Sequence, residues 1–235
     1  MTLQLSATRI QLSMEVPLSP NAAQIEEGQA LQWTSMNGQN YVTQGTGTAG
    51  QFAGVAFGYF MRPNTGVVVD TLTVPATAPY TVTLSQSPNN VAAVSVVSGS
   101  TQFTQVTSLT AASQYTIGGS NNQTLTFDSA NAGATVTVTY RMNLTVFQAE
   151  MYTGDGYIVN APSNVTGTIG VIQKGVVMTS NFDTSVYWGA GNINNITCAA
   201  GGYFTTGGSG AAVNATVYSV PTQDMPYLGL NIIAA

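Results

Sequence analysis

Apolar and polar residues alternate with a period of two along much of this chain. Residues 9–16 show the pattern most clearly, because every second position is apolar (Ile10, Leu12, Met14 and Val16) and the positions between are polar or charged. Successive side chains of a β-strand point to opposite faces, so this pattern is typical of a half-buried strand. Similar short runs, separated by Gly, Pro and Asn, recur to the end of the chain and predict an all-β protein.

The predicted strands form three groups along the chain. The first group covers residues 9–16, 30–34, 40–43 and 52–60. The second covers residues 67–74, 80–84, 91–97, 102–106, 114–117, 123–127 and 135–141. The third covers residues 144–151, 157–160, 168–172, 176–178, 186–188, 193–198, 213–220 and 228–233. Asn37-Gly38 predicts a two-residue hairpin turn in the first group. Residues 21–29 predict either a short helical turn or a loop.

The second group has the strand spacing of an immunoglobulin-like (Ig-like) β-sandwich, with seven short strands in about 80 residues. No methionine occurs between Met61 and Met142, whereas methionines are found on both sides of that stretch. We therefore predict that residues 63–142 are an Ig-like insert. Residues 1–62 and 143–235 then form a small β-barrel or β-sandwich domain, with a separate C-terminal β domain as the alternative for the latter segment.

Two of the four cationic residues, Arg62 and Arg141, lie at the ends of the predicted insert. If these ends lie side by side, both arginines are expected at the seam between the two domains, paired with an acid such as Glu15 or Glu150. The alternative is that both are ordinary solvated charges, which contribute little to stability.

Charged residues make up only 6% of the chain, against about 25% in an average soluble domain. The net charge of −5 and the lack of clustered Lys and Arg argue against binding to nucleic acid or to a membrane surface. A polar but uncharged surface gives little electrostatic repulsion between molecules, which suits a protein that functions in an assembly. A secreted protein adapted to an unusual environment is the alternative, although residues 1–20 do not resemble a cleaved secretory signal.

The chain contains no histidine, which removes the commonest general base and metal ligand. Carboxylates are the remaining candidates for glycoside cleavage: Glu15, Glu26, Glu27, Asp155, Asp183 and Asp224. We favour structural roles for them, because Asp155 lies in a Gly-flanked turn and Glu26 and Glu27 belong to a predicted turn. A calcium site that uses Asp155 or Asp183 is disfavoured, because no further acidic residues follow at alternate positions. We therefore predict no enzyme, no catalytic, cofactor-binding or metal-binding residues, and no cofactor.

The single cysteine, Cys198, is expected to be a buried small residue in a protein that folds in a reducing cytoplasm. The aromatic residues Tyr152, Tyr157, Tyr187 and Trp188 favour core or interface positions. Their alternative role is a carbohydrate-binding platform.

Two stretches resemble structural proteins of tailed bacteriophages. The first stretch resembles the Ig-like domains that recur in phage virion proteins. The matching residues are Gln114-Tyr115-Thr116, Phe127, Asn131-Ala132-Gly133 and the predicted strand over residues 136–140. In the second stretch, residues 25–59, Gly28 and residues 54–56 (Gly-Val-Ala) are similar to small β-barrel capsid cement proteins.

This resemblance, over about half of the chain, implies a capsid decoration (cement) protein on the outer capsid surface of the virion, made in the host bacterial cytoplasm. Its implied partners are the major capsid protein and other copies of itself, as a homo-oligomer with a trimer favoured. We expect residues 1–10 and 228–233 to reach across to a neighbouring subunit. The alternatives are a phage tail-tube or neck subunit and a carbohydrate-binding surface module.

Overall fold

The computed structural model describes residues 9–19, 25–57, 65–145, 148, 168–189, 193 and 195–234. Its strands are β1 (Arg9–Pro17), β2 (Ala30–Met36), β3 (Gln39–Gln44), β4 (Phe52–Phe57), β5 (Thr65–Thr73), β6 (Thr81–Thr83), β7 (Ser95–Ser98), β8 (Thr101–Gln102), β9 (Thr104–Gln105), β10 (Gln114–Gly118), β11 (Thr124–Phe127), β12 (Thr135–Asn143), β13 (Thr168–Thr179), β14 (Ile196–Cys198), β15 (Phe204–Thr206), β16 (Asn214–Ser219) and β17 (Leu228–Ala234). The all-β prediction is confirmed.

The largest sheet has seven strands, in the order β16-β17-β13-β4-β2-β3, with β1 paired to β13. Strand β13 organises it, because Gly175 and Val176 pair with β1 and also with β17. The sequence predicted two separate strands here, but a single strand continues through Gly175, whose φ of 137° favours glycine. The described strands of this sheet do not close into the barrel that the sequence left as one possibility.

Strand β4 is buried on both faces of this sheet. On β4, Phe52 and Val55 belong to one hydrophobic core, whereas Ala53 belongs to another. The neighbouring strand β2 is divided in the same way, with Ala30 in the first core and Leu31 in the second. Five of the six residues of β4 are buried. A strand covered on both sides reads as a continuous apolar run, which explains why the alternation seen in β1 weakens here.

Residues 65–143 form two four-stranded sheets, β6-β11-β10-β9 and β5-β12-β7-β8. Between them lies a third core, whose largest side chains include Tyr115, Phe127 and Tyr140. Strand β12 shows the expected alternation: Val136, Val138 and Tyr140 point into this core. This arrangement is a β-sandwich, which we call the sandwich below; the exact domain boundaries at residues 62 and 143 stay a prediction.

The chain changes from one sheet of the sandwich to the other at Phe103. Strand β8 pairs with β7, and β9, two residues later, pairs with β10. The sequence predicted one strand over residues 102–106 and another over residues 91–97. Residues Val91–Ala93 instead form a 3-10 turn, because the side chain of Asn90 accepts a hydrogen bond from the amide of Ala92 and ends the extended conformation.

Two further sequence predictions are corrected by the structure. Residues 186–188 form a turn rather than a strand. Of the predicted strand over residues 144–151, residues 144, 145 and 148 are described, and there Thr145 and Gln148 make reciprocal hydrogen bonds typical of a helix N-terminus. The described residues 25–29 contain a turn, which agrees with the loop alternative for residues 21–29, and strand β15, which the sequence did not predict, pairs with β14. No helix in the described residues is both long and apolar enough to cross a membrane.

Candidate functional site

The predicted carboxylates lie in separate turns and strands. Glu15 is on β1, Glu26 and Glu27 are in the turn before β2, and Asp224 is in an exposed turn after β16. Asp155 lies outside the described residues. Within the described part of the chain, no group of three or more His, Cys, Asp or Glu side chains is placed to hold a metal ion.

Asp183 shapes a turn. Its Oδ1 accepts hydrogen bonds from the amide and the hydroxyl of Ser185, at 2.9 and 2.6 Å, and its Oδ2 accepts one from the Thr205 hydroxyl at 3.0 Å. These bonds fix the segment that carries Tyr187 and Trp188. These hydrogen bonds therefore support a structural role for Asp183 rather than a role as a calcium ligand.

Sequence reasoning missed a buried acid in the sandwich. Asp70 is only 6% exposed and accepts hydrogen bonds from the amide and hydroxyl of Ser85 and from the Tyr140 hydroxyl at 2.8 Å. Burial raises the pKa of Tyr140 to about 12, to which the bond to Asp70 also contributes. The cluster ties the loop after β6 to β5 and β12, so its chemistry is structural.

Arg141 lies where the sandwich meets the segment after β13. Its guanidinium donates to the Thr65 hydroxyl and to the carbonyl of Ser180, and it lies 4.5 Å from the ring centroid of Tyr203. Arg141 therefore joins the sandwich to the segment after β13, while the domain seam that the sequence predicted there stays a prediction. Arg62 and Glu150 lie outside the described residues, so their pairing stays a prediction.

Trp188 is 4% exposed, packs edge-on against Phe182 and donates from its indole to the carbonyl of Asp183. The interpretation of Trp188 as a core anchor is confirmed, and an exposed sugar platform that includes it is wrong. Tyr152 and Tyr157 lie outside the described residues. Cys198 is buried as expected, and burial raises the pKa of its thiol to about 12, which suppresses the reactive thiolate.

The candidate interaction surface is the edge of the seven-stranded sheet at β16, which pairs with β17 and with no other strand of the described residues. Side chains of this strand alternate between exposed and half-buried, and Tyr218 is 65% exposed. Val220, Met225 and Ile233 are exposed apolar residues on or close to β16 and its neighbour β17. We call these four residues and strand β16 the β16 edge surface.

The three edges of this sheet differ in how they are protected. Strand β1 carries Arg9 and Glu15 and ends at Pro17. Strand β3 is covered, because Leu18 forms a bridge with Val42 and the amide of Ser19 donates to the Val42 carbonyl at 2.9 Å. Strand β16 contains neither a charged residue nor proline, the usual protections of an edge. It is therefore the edge best suited to pair with another chain.

The C-terminal strand does not supply this edge. Strand β17 lies between β16 and β13, and Leu228, Leu230 and Ile232 are buried in the core. The prediction that residues 228–233 reach a neighbouring subunit is therefore wrong. Residues 1–8 lie outside the described residues.

Comparisons of this chain with models of protein families, with curated proteins and with solved structures found no significant match.

Proposed function

We propose that this protein is a virion structural protein that decorates the outside of a phage capsid and stabilises it by bridging neighbouring capsid subunits. The observation that carries the proposal is the β16 edge surface: a six-residue strand edge without charge or proline that no further described strand covers, flanked by exposed apolar residues. Its partners are the major capsid protein and further copies of this chain, with a trimer favoured. Nucleic acid and membranes are not partners in this proposal.

Attachment through this edge combines two kinds of contact. An extended segment of the capsid subunit adds a strand to β16, so that main-chain hydrogen bonds supply affinity. Tyr218 and Val220 bury apolar surface against the same partner, and aromatic side chains of this kind often dominate interface energies. Because β16 bears no charge, docking does not require an ionised group to lose its hydration.

Low charge also supports an assembled rather than a catalytic role. Only 13 of the 235 residues are ionisable Lys, Arg, Asp or Glu, from 4 cations and 9 acids. Neutral threonines occupy outward positions of sandwich strands such as β11, where Thr124 and Thr126 alternate with the core residues Leu125 and Phe127. Such surfaces pack against neighbours without like-charge repulsion.

A charge placed on the β16 edge tests the proposal. We expect Thr216→Lys to reduce binding to purified capsids that lack this protein by at least about tenfold, because a buried unpaired ammonium is costly. Co-sedimentation of the full chain with the capsids measures the bound fraction, and cryo-electron microscopy locates it.

Thr83→Lys is the matched control, because Thr83 is also an exposed threonine on an edge strand, β6 in the sandwich. It is expected to bind as the unmodified protein does. Equal binding by Thr216→Lys would contradict the assignment of the β16 edge. Density on the tail or neck instead of the head would replace capsid decoration with the alternative of a tail-tube or neck subunit.

A further inference from the structure

A groove lies between the sandwich and the segments that face it. Its floor is the outer face of β5, β12 and β7, and its walls are residues 186–189 and 220–223. The groove volume is about 470 Å³, within the range of about 300–1,000 Å³ for small-molecule sites. The groove shares Val220 with the β16 edge surface, but the inference drawn from it does not depend on the docking function proposed above.

The floor of the groove is a patch of hydroxyl groups. Cross-strand pairing places Thr137 beside Thr71 and Val97, and Thr139 beside Ser95. Further along the same face, Val67 and Val69 pack into the core of the seven-stranded region, so only this end of the face lines the groove. Each hydroxyl offers one donor and two acceptor sites, which suits a ligand that itself both donates and accepts.

One wall presents an aromatic ring that is held in position. The Tyr187 hydroxyl donates to the Gly99 carbonyl at 3.2 Å, and the Trp188 indole anchors the next residue to Asp183. The ring lies against Gly189, where an added Cβ would come within 2.7 Å of the ring carbon Cε2. The position of the ring therefore depends on glycine at residue 189.

The opposite wall is also built by fixed hydrogen bonds. The amides and carbonyls of Thr222 and Met225 bond reciprocally, at 2.9 and 3.1 Å, and close a tight turn. The Thr222 hydroxyl accepts a further bond from the Met225 amide. Val220, Pro221 and Gln223 line the groove from this turn, adding apolar surface and one amide side chain.

The chemistry of the lining selects the ligand class. All lining residues are uncharged, so the groove offers no ion-pair partner to an anion or to a cation. Strand β12, at the centre of the floor, is paired on both sides and offers no edge to an extended peptide, whereas β5 ends its sheet. Hydroxyls opposite an aromatic ring instead match a polyhydroxylated ring with apolar C–H faces. We infer that this groove binds a short neutral saccharide.

Saturation-transfer difference NMR on the full chain tests this inference, with maltose, cellobiose, lactose and N,N′-diacetylchitobiose as neutral probes. We expect at least one of them to bind. Tyr187→Ala and Thr137→Val should each weaken that binding by about fivefold or more, since Val keeps the shape of Thr but removes its hydroxyl. Gly189→Ala should weaken it by displacing the ring.

Thr126→Val is the matched control, because Thr126 lies on β11 of the opposite sheet and away from the groove. It should leave binding unchanged, and glucuronic acid and glucosamine should bind no better than the neutral probes. Failure of all four neutral probes to bind, equal binding by the Tyr187→Ala and Thr137→Val variants, or preference for a charged sugar would overturn the inference.

Discussion

The sandwich and the seven-stranded sheet bury their apolar residues in different ways. In the sandwich, one core fills the space between two sheets, so a strand such as β12 hides every second residue. In the seven-stranded sheet, β4 lies between two cores and is buried on both faces. Ala53, Gly54 and Ala56 keep that strand thin enough for its neighbours to approach.

This difference determines where each region tolerates change. Outward positions of the sandwich, apart from Val67 and Val69, accept polar residues, because they meet solvent or the groove. Strand β4 has no comparable position before Phe57, because both faces are occupied. The seven-stranded sheet also has the β16 edge, whereas the sandwich sheets end partly in strands of two or three residues, such as β6, β8 and β9. The same residue change should therefore have different consequences in the two regions.

Gly54→Ala should produce the largest loss of stability. Gly54 has a φ of 139°, and an added Cβ would overlap the Val171 side chain and the Ile172 carbonyl oxygen. Backbone strain and overpacking together should lower the free energy of unfolding by about 4 kcal/mol. Urea unfolding followed by tryptophan fluorescence measures this, because both tryptophans, Trp33 and Trp188, lie outside the sandwich.

Gly118→Ala is the control for this change in the sandwich. Gly118 is at the end of β10, and an added Cβ would meet no atom within 4 Å. We expect its effect to stay below about 1 kcal/mol. Similar losses for the two glycine variants would show that double-sided burial does not distinguish β4.

Truncation of a core leucine should give the next largest loss of stability, and each loss should be confined to the region that contains the leucine. Leu125 and Leu230 are both fully buried, the first in the sandwich core and the second in a core of the seven-stranded sheet. Each Leu→Ala change should cost about 3 kcal/mol in its own region, through lost burial and the cavity left behind. Tryptophan fluorescence should report the Leu230→Ala loss, and amide hydrogen exchange in β12 the Leu125→Ala loss. An equal shift of both signals in both variants would mean that the regions unfold as one unit.

Alkaline pH should weaken the seven-stranded region before the sandwich. Burial raises the pKa of Cys198 from 9.0 to about 12, so the folded thiol keeps its proton where the unfolded chain loses it. Its stabilising contribution is complete below pH 9 and falls by about 1.4 kcal/mol per pH unit above that, until pH 12. Tyr115 and Tyr140, with pKa values raised from 10.0 to about 12, act on the sandwich only above pH 10.

Urea midpoints of tryptophan fluorescence between pH 9 and pH 10 measure the Cys198 contribution. Cys198→Ala should remove this part of the pH dependence, whatever its effect on stability at neutral pH. A variant with an unchanged slope would assign the alkaline loss to another group.

Tyr140→Phe should lower the free energy of unfolding by less than the Gly54→Ala and leucine changes. It removes a hydroxyl that donates to Asp70 at 2.8 Å and accepts from the Gln86 amide at 3.0 Å. We expect a loss of about 1–2 kcal/mol, confined to the sandwich and measured by hydrogen exchange in β12. Tyr218→Phe, at an exposed hydroxyl, should be neutral. No loss from Tyr140→Phe would mean that water or Ser85 replaces these bonds.

Much of the fold was predictable where a local pattern determines it. Asn37-Gly38 forms the predicted hairpin turn, with φ values of 53° and 76° that suit Asn and Gly. The strand predicted over residues 135–141 appears as Thr135–Asn143. In both places the controlling interactions lie within a few residues, so the pattern and the structure agree.

Predictions failed where distant contacts override the local pattern. Residues 186–188 are apolar enough for a strand, but the Asp183 side chain bonds to Ser185 and turns the chain, and Trp188 enters the core from a loop. The groove was also missed, because its floor and its walls lie far apart along the chain. The buried role of Asp70 depends on Tyr140 in another strand, a partner that neither local sequence reveals.

The sequence by itself determined that this chain is built of β-strands, where its tightest hairpin turn lies, and that its surface is nearly free of charge. These properties follow from side-chain alternation, turn chemistry and composition, all of which are local or additive. The tertiary structure alone decided that β1 pairs with β13, that β17 is internal and that β16 ends the sheet among the described strands. Strand pairing is a long-range choice, since a backbone edge bonds equally well to many strands and only the packing of the whole core selects among them.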